Sequence, residues 1–404
     1  MNDLSATLPD LPRSAVLRLA LTYAIAVNGM VLTPFLVAAV MRRFGLNEGA
    51  ATGAVGVEII GLAVSCAIFP RWIARAAHAF AAIGVVGTVL GQLSSVFVQS
   101  VVSMTVARGL TGLFEGMLFV VVAASVAHRA SSDKLWGQIN LVAGVLNGSI
   151  LVGVSYVPEA ALSRGLFILL AGLVAASIPL VSRVGVHASS VLPARAGQTR
   201  GKVPLGLILA IWVVTVLIYG VQASQWAVAG IVGAHSGLSA SSIGILLSVS
   251  SLLGFAGAAV PAWDGSRRYR LGIILLAQLI MVGSLVSFFG STGATTYFVS
   301  QVTLNTAFFV VIPFLTGMLS EVDPDGSLVS RTVVVTLIGA GVGTVMAGSQ
   351  FAAFGAARFS YAMCLGIAAA APFVWLALRG AAAYGSRQMS LTPLDGPPVA
   401  ATHR

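Results

Sequence analysis

Charged residues are scarce in this sequence, because Asp, Glu, Lys and Arg together make up 8% of its 404 residues. A water-soluble protein of this length needs about 25% charged residues to cover its surface. The chain is instead strongly apolar, with 57% hydrophobic residues and a mean hydropathy of +0.97. The shortage of charge therefore excludes an ordinary soluble protein and indicates a chain that lies largely in lipid.

Cysteine is nearly absent as well, since the chain has only Cys66 and Cys364. Both fall in apolar segments, far apart and outside any CxxC pattern, which argues against a disulfide framework or a zinc site. All histidines lie in predicted loops, helix ends or the C-terminal tail. Because the apolar segments hold no cluster of His, Cys and carboxylate residues, we expect no metal, no cofactor and no enzymatic activity.

The sequence is rich in long apolar runs of about 20 residues, each long enough to cross a membrane as a helix. They are bounded by charges, prolines or glycines. The predicted fold class is an all-α membrane protein with twelve transmembrane helices in two six-helix bundles. The predicted spans are Ser14–Met41, Glu48–Phe69, Ala77–Val98, Val101–Ala127, Trp136–Tyr156, Arg164–Arg183, Pro204–Val232, Ser241–Ala262, Tyr269–Phe289, Thr295–Ser320, Leu328–Phe351 and Phe359–Leu378.

A polar segment rich in Ser, Pro, Arg and Gly separates the first six spans from the last six. We take it as a flexible linker between two halves. The tail has Pro, Ser and Asp without apolar periodicity, which predicts disorder. The predicted domains are a cytoplasmic N terminus (1–13), a first bundle (14–186), a cytoplasmic linker (187–203), a second bundle (204–380) and a disordered cytoplasmic tail (381–404).

Lysine and arginine are distributed unevenly between the predicted loops. If both termini are cytoplasmic, 17 of the 22 lie on the inner side and 4 on the outer side, while Arg108 lies within a span. The positive-inside rule then predicts a multi-pass protein of the cell inner membrane with cytoplasmic termini. The same bias accounts for the net charge of +10 without a nucleic-acid partner. The first apolar run is too long for a cleavable signal peptide.

The second half of the chain repeats landmarks of the first. IFPRWIARAAH (68–78) and AVPAWDGSRRY (259–269) share Pro-x-Trp at an offset of 191 residues. FGLNEGAATG (44–53) and HSGLSASSIG (235–244) each have Gly-Leu followed by an Asn or Ser suited to cap the next helix. Both landmarks flank the second span of their half. The halves therefore run in the same sense and are related by an axis along the membrane normal.

Two ionisable residues lie deep in the fourth span, in VARGLTGLFEGML (106–118). Arg108 and Glu115 are seven residues apart, which places them on one helix face about 10 Å apart along its axis. Glu58 is the only other acid deep in a span. A charge at this depth costs several kcal/mol unless it faces a bundle interior, a cavity or a counter-charge. We interpret Arg108 as a substrate-binding residue and Glu115 and Glu58 as proton-coupling residues. Alternatively, Arg108 is a permanent strut that is paired with one of these acids.

Uncharged polar residues follow single helix faces on other spans. In the seventh span, polar and aromatic residues recur at intervals of three and four. Gln222 and Gln225 follow Tyr219 at steps of three, and Trp226 lies four residues after Gln222. A mixed amide and aromatic pocket is one interpretation, and ordinary hydrogen bonding between helices is the other. Gln92 and Gln278, on spans expected at the periphery, are interpreted as packing residues. The full set of candidate substrate-binding residues is Arg108, Asn28, Asn147, Gln222, Gln225, Trp226, Gln301 and Asn305.

On three motifs the chain resembles the major facilitator superfamily of transporters, over residues 14–380. GLNEGAATG resembles the family's Leu-Ser-x-x-x-x-Gly entry to the second helix, and RGLTGLFEG resembles its Arg-x-x-x-Gly motif in the fourth. WDGSRRYR resembles its Asp-Arg-x-Gly-Arg-Arg loop. The resemblance implies that spans 1, 4, 7 and 10 surround a central cavity. It also implies that Asp264, Arg267 and Arg268 are gating-loop residues. Their first-half counterparts are Arg71 and Arg75, in a loop that lacks the family's acidic residue.

The spacing of Arg108, Gly112 and Glu115 resembles the Arg-x-x-x-Gly-x-x-Glu of the anion–cation symporter branch. In that branch the arginine is implicated in the anion site and the glutamate in proton coupling. That branch usually has a further arginine in the first helix. The corresponding region of this chain has no arginine, and Asn28 is its only candidate polar residue. The fifth span also lacks the Gly-Pro pair typical of drug–proton antiporters.

We therefore expect a secondary active transporter that works by alternating access. Its expected cargo is a small anionic organic solute, moved by proton-coupled symport, and its expected partners are that solute, protons and the lipid bilayer, with the protein acting as a monomer. One alternative is a proton-coupled efflux antiporter for a metabolite or drug. Another is a membrane receptor or scaffold that does not transport.

Overall fold

The computed structural model describes residues 11–127, 129, 132–188, 203–263, 265–323 and 327–391. The regular elements in these ranges are helices. In the first half they are α1 (Arg13–Ala26), α2 (Asn28–Val31), α3 (Thr33–Phe44), α4 (Glu48–Ile68), α5 (Pro70–Phe97), α6 (Val101–Val126), α7 (Ser132–Ser155), α8 (Glu159–Val181) and α9 (Gly185–Ala188). In the second half they are α10 (Leu205–His235), α11 (Ala240–Gly254), α12 (Ala259–Ala262), α13 (Arg270–Phe289), α14 (Ala294–Val322) and α15 (Ser327–Leu391), with 3₁₀ turns at Phe255–Ala258 and Ser266–Tyr269.

Ten of the described helices are long and apolar enough to cross a membrane. The difference from the twelve predicted spans has two sources. The first span is divided into the short helices α1, α2 and α3, and the last two spans together make up α15, which is interrupted at Gly355. Within α15 the chain turns at Gly355, whose φ of +71° is accessible to glycine at little cost. The twelve predicted spans therefore correspond to described helical segments.

The break in the first span follows from its local sequence. Val27 and Leu32 leave helical geometry on either side of Asn28–Val31. Pro34 lacks a backbone N–H, so a carbonyl one turn earlier loses its donor. The hydroxyl of Thr33 donates instead to the carbonyl oxygens of Gly29 and Met30, at 2.9 and 3.0 Å. Sequence periodicity predicted one continuous helix here, and that prediction is wrong in this detail.

The repeated Gly-Leu motif has the same local structure in both halves. Gly45 ends α3 with a φ of +62°, and Gly237 follows α10 with a φ of +77°. The side chain of Asn47 then accepts a hydrogen bond from the first turn of α4, and Ser239 does the same for α11. The predicted N-caps are confirmed.

Each half has its own apolar core. The largest cluster of buried hydrophobic residues contains only second-half residues, from Leu207 to Ala377. Two further clusters have their buried members only in the first half. A fourth is a first-half cluster to which Leu337 and Ala340 of α15 contribute. The halves therefore pack as two bundles, and they meet through the pairs α4–α15, α7–α11 and α3–α10.

We call the side of the membrane at which α1 begins the near side, and the opposite side the far side. On the far side the halves approach at glycines. A β-carbon added to Gly348 of α15 would lie 2.1 Å from the carbonyl oxygen of Glu48, where α4 begins. A β-carbon on Gly244 of α11 would lie 2.3 Å from that of Ser155, where α7 ends. These contacts hold the bundles together at their far-side ends.

Candidate functional site

Arg108 lies in the interior of the first bundle. Its side chain is fully buried on α6, and one Nη atom donates to Oε1 of Glu58 on α4 at 3.1 Å. The other donates to Ser95 Oγ at 2.7 Å and to Gln92 Oε1 at 3.1 Å, both on α5. It also approaches the Gly91 carbonyl and the Thr111 hydroxyl. The guanidinium thus joins three helices.

The ring of Phe167 on α8 covers this group, with its centroid 5.0 Å from the Arg108 guanidinium carbon. A cation over an aromatic face is stabilised by the ring quadrupole, more strongly where water is excluded. The arginine is therefore enclosed by spans 2, 3, 4 and 6. This arrangement corresponds to the strut alternative weighed for Arg108, and both Nη atoms are occupied by groups of the first half.

Glu58 and Glu115 form a buried acidic pair beside Arg108, and they are 2% and 1% exposed. Glu58 uses Oε1 for the arginine, while its Oε2 has no hydrogen-bond partner among the described residues. Glu115 interacts electrostatically with both Glu58 and Arg108, and its Oε1 also lacks a partner. Two carboxyl groups and one guanidinium share a site without water-exposed surface.

Glycines bring the backbones around this site into contact. A β-carbon on Gly112 of α6 would lie 1.8 Å from the carbonyl oxygen of Glu58, so only glycine allows α4 to pack here. A β-carbon on Gly29 of α2 would lie 2.4 Å from the Glu58 carboxyl carbon. The carboxyl group therefore lies directly against the interrupted part of the first span.

The predicted glutamines of the second half form one amide cluster between α10 and α14. Gln225 Nε2 donates to Gln301 Oε1 at 2.7 Å, and Gln222 Nε2 donates to Asn305 Oδ1 at 3.0 Å. Gln301 Nε2 donates to the same Asn305 oxygen at 3.3 Å. Gln222 is half-buried and the other three amides are buried. The side-chain carbonyl oxygens of Gln222 and Gln225 have no partner within the described chain.

The α10 face that bears Gln222 is turned towards the first half. Four residues on, the indole N–H of Trp226 donates to the Val31 carbonyl of α2 at 3.0 Å. Three residues before, Tyr219 packs edge-on against Phe308 of α14. Gln222 thus lies one turn from a point at which the bundles meet.

Asn28 and Asn147 lie apart from this amide cluster. Asn147 of α7 donates to the Ala24 carbonyl of α1 at 3.3 Å, and its Oδ1 has no partner in the described part of the chain. Asn28 is 3% exposed, and its Oδ1 likewise has none. Asn28 precedes the Gly29 that contacts Glu58, so it is a neighbour of the charged site.

The candidate gating residues lie at near-side helix ends. Arg71 is exposed and stacks on the ring of Trp72, at 4.1 Å from its centroid, and Arg75 is exposed too. Arg268 lies 5.7 Å from the ring centroid of Tyr269. Asp264 and the side chain of Arg267 lie outside the described residues.

One contributor to the charged site was missed from the sequence. Gln92 was interpreted as peripheral packing but is a hydrogen-bond acceptor for Arg108. The sequence pattern that could have revealed this role is the spacing of Gln92 and Ser95, three residues apart on one face of α5. Two polar side chains on one buried face need a hydrogen-bond partner inside the bundle. Gln278 is 4% exposed, and neither amide atom has a partner among the described residues.

Solved transporter structures share this architecture. A bacterial homolog of the human lysosomal transporter Spinster, in an inward-facing conformation, matches with a TM-score of 0.63 at 16% identity, over 93% of this chain and 96% of that one. A D-xylose–proton symporter matches with 0.68 at 13%, over 90% and 97%. The nucleoside transporter NupG matches with 0.66 at 12%, over 92% and 99%. The chain has the major facilitator fold.

The predicted fold class is confirmed by this likeness. No family model matches the chain, and no curated protein matches it. At such low identity the likeness concerns the fold, so membership of the anion–cation symporter branch stays a prediction.

Proposed function

We propose that this protein is a secondary active transporter of the inner membrane that works by alternating access, with a solute pocket at the amide cluster of α10 and α14. The observation that carries the proposal is the unused hydrogen-bonding capacity of that cluster. A buried polar atom without a partner costs about 1–3 kcal/mol. The carbonyl oxygens of Gln222 and Gln225 are such atoms, and a solute hydroxyl or N–H supplies the missing donor.

A neutral polar solute fits these groups best. Amides donate and accept hydrogen bonds without formal charge, and Tyr219, Trp226 and Phe308 add aromatic faces. The sequence predicted an anionic solute because Arg108 is the only cation deep within a predicted span. Its two Nη atoms are engaged inside the first bundle, so we now favour a hydroxyl-rich solute such as a sugar or nucleoside. Two structural relatives are named for xylose and nucleosides.

Proton coupling is assigned to Glu115 and Glu58. Together with Arg108 they carry one excess negative charge when both are ionised, and an uncompensated charge is costly in a buried site. One proton removes that excess. Glu115 is the stronger candidate to carry it, because Glu58 has Arg108 as a hydrogen-bonded counterion while Oε1 of Glu115 has no partner within the described residues. We propose import by symport.

Helix α2 connects the two sites physically. Gly29 at its start contacts the Glu58 carboxyl group, and the Val31 carbonyl near its end accepts from Trp226. Because α2 is separated from α1 and α3 by two breaks, it can shift without bending a long helix. A change of protonation at the acids would thus reach the solute-facing side of α10.

Uptake into proteoliposomes tests the solute class. Gln222→Leu should raise the KM for the transported neutral solute at least tenfold, because a solute group that hydrogen-bonds there loses its partner. Gln278→Leu is the control, since it removes a buried glutamine amide on α13, outside the amide cluster, and should leave KM unchanged. Accumulation of a carboxylate that requires Arg108 would contradict the neutral-solute assignment. Absence of flux for any solute that binds would favour a receptor or scaffold.

Glu115→Gln tests the coupling residue. We expect the variant to lose accumulation driven by a pH gradient while exchange of solute across the membrane continues, since the amide cannot carry the proton. The control is Glu321→Gln, because the carboxylate of Glu321 forms an exposed ion pair with Arg270. If the pH dependence of Glu115→Gln equals that of the unmodified protein, the coupling assignment is wrong.

A further inference from the structure

A cavity lies on the near side of the first half, far from the amide cluster. It is a groove of about 420 Å³ between the first turns of α1 and α7. Arg13, Lys134 and Gln138 supply its polar groups, and its apolar wall includes Val16, Leu17 and Val142. The cations lie at the helix ends and the apolar residues lie deeper along both helices. This order of groups follows the profile of a lipid monolayer, with headgroups outside and acyl chains inside.

Two cations, Arg13 and Lys134, lie at the mouth of this groove, which we call the α1–α7 groove. Arg13 and Lys134 are exposed, and neither forms an ion pair with a described residue. Helix α1 begins at Arg13 after Pro12, and no side chain caps its free N–H groups. Helix α7 begins at Ser132, beside Lys134. The uncapped N terminus of α1 adds its partial positive charge to those of the two side chains.

The floor of the groove is apolar and open. Leu17 is 58% exposed, which is unfavourable for a leucine in contact with water but not in contact with a hydrocarbon chain. Gln138 is exposed one turn deeper than Lys134 and has no partner among the described side chains. It can donate to an ester carbonyl at the boundary between headgroup and acyl chain. A small soluble anion would leave both this amide and the apolar wall without contacts.

We propose that the α1–α7 groove binds one anionic phospholipid from the near-side leaflet. Its phosphate lies between Arg13 and Lys134 at the two helix ends, and an acyl chain follows Leu17 and Val142. Charge complementarity and the vertical order of the groups distinguish this occupant from a second protein. The site does not depend on the proposed transport function, because it shares no residue with the charged site or the amide cluster.

The test measures lipid binding to the full-length protein in detergent. Phosphatidylglycerol, phosphatidylcholine and soluble glycerol phosphate are titrated separately, with affinity from native mass spectrometry and stability from the midpoint of thermal unfolding. We expect phosphatidylglycerol alone to bind and to raise the midpoint. The double variant R13A/K134A should bind it about thirty-fold more weakly, since each cation near an anionic lipid contributes a factor of about five in affinity and the two factors multiply.

The matched control is R183A/R331A, which removes two exposed near-side arginines outside the groove and should keep full binding. Gln138→Trp is a second variant, designed to fill the groove while both cations remain, and it too should lose binding. Undiminished phosphatidylglycerol binding by R13A/K134A would overturn the proposal. So would equal stabilisation by glycerol phosphate, which would indicate an anion site rather than a lipid site.

Discussion

Glu58→Gln should lower the free energy of unfolding by about 3 kcal/mol, the lower end of the range for breaking a buried ion pair. The variant leaves the Arg108 guanidinium buried at 0% exposure without its hydrogen-bonded counterion. A guanidinium cannot neutralise itself by losing a proton. Glu115 remains nearby as a counter-charge, which is why we expect the lower end of the range.

Arg108→Gln should cost about 3 kcal/mol as well, because it removes the donors to Glu58, Gln92 and Ser95 and leaves those acceptors buried. The double variant E58Q/R108Q leaves no unpaired charge from this pair. Its cost should therefore fall below the sum of the single costs by about 2 kcal/mol, within the range known for directly interacting residues.

The assay is equilibrium unfolding of the purified protein in mixed micelles, with a double-mutant cycle over the four forms. The exposed pair Arg270 and Glu321, with N–O distances of 2.6 and 3.1 Å, provides a matched cycle. Its coupling should stay below about 1 kcal/mol because solvent screens it. Additive single costs at Glu58 and Arg108, within about 0.5 kcal/mol, would refute the interpretation of Arg108 as a paired strut.

Three further outcomes follow from individual contacts. Gly348→Val should separate the far-side ends of α4 and α15, because no side chain fits against the Glu48 carbonyl, and far-side labelling of an introduced cysteine should increase. Trp226→Phe removes the bond to the Val31 carbonyl, about 1 kcal/mol, and should raise far-side labelling about fivefold. Asn47→Ala removes the N-cap of α4 and should cost about 1 kcal/mol in the unfolding assay, with unchanged labelling.

The helical segments were predictable because lipid imposes a single length and composition on each span. The break within the first span was not predictable from hydropathy. Asn28, Gly29 and Thr33-Pro34 interrupt the first span, yet they alter its average hydropathy little. Gly355, by contrast, lies between two apolar runs that were predicted as separate spans, and its non-helical backbone interrupts α15 there. Local backbone chemistry decides these points, and its effect depends on the neighbouring helices.

The depth of Arg108 and Glu115 was also predictable, but their direction was not. Sequence spacing places both on one face of α6, and helical periodicity does not state which neighbour that face meets. The face meets α4 and α5, because Gly112 allows the Glu58 backbone to approach and because Gln92 and Ser95 offer acceptors. Pairing of spans in space is the missing information.

Comparison of the two bundles shows how the chemistry is divided between them. Counted from the first residue of each helix, Arg108 is the eighth of α6 and Gln301 the eighth of α14. Glu58 is likewise the eleventh residue of α4, and Ser250 the eleventh of α11. The second bundle thus has uncharged residues where the first has an ion pair.

In both bundles a glycine allows these two helices to approach closely, but the glycine lies on opposite members of the helix pair. In the first bundle, Gly112 of α6 makes room for α4. In the second, Gly254 at the end of α11 makes room for Asn305 of α14, which stands at the position equivalent to Gly112. That exchange puts an amide where the first bundle has no side chain, and it completes the cluster around Gln301. The repeated frame therefore holds a buried ion pair in one bundle and a cluster of buried amides in the other.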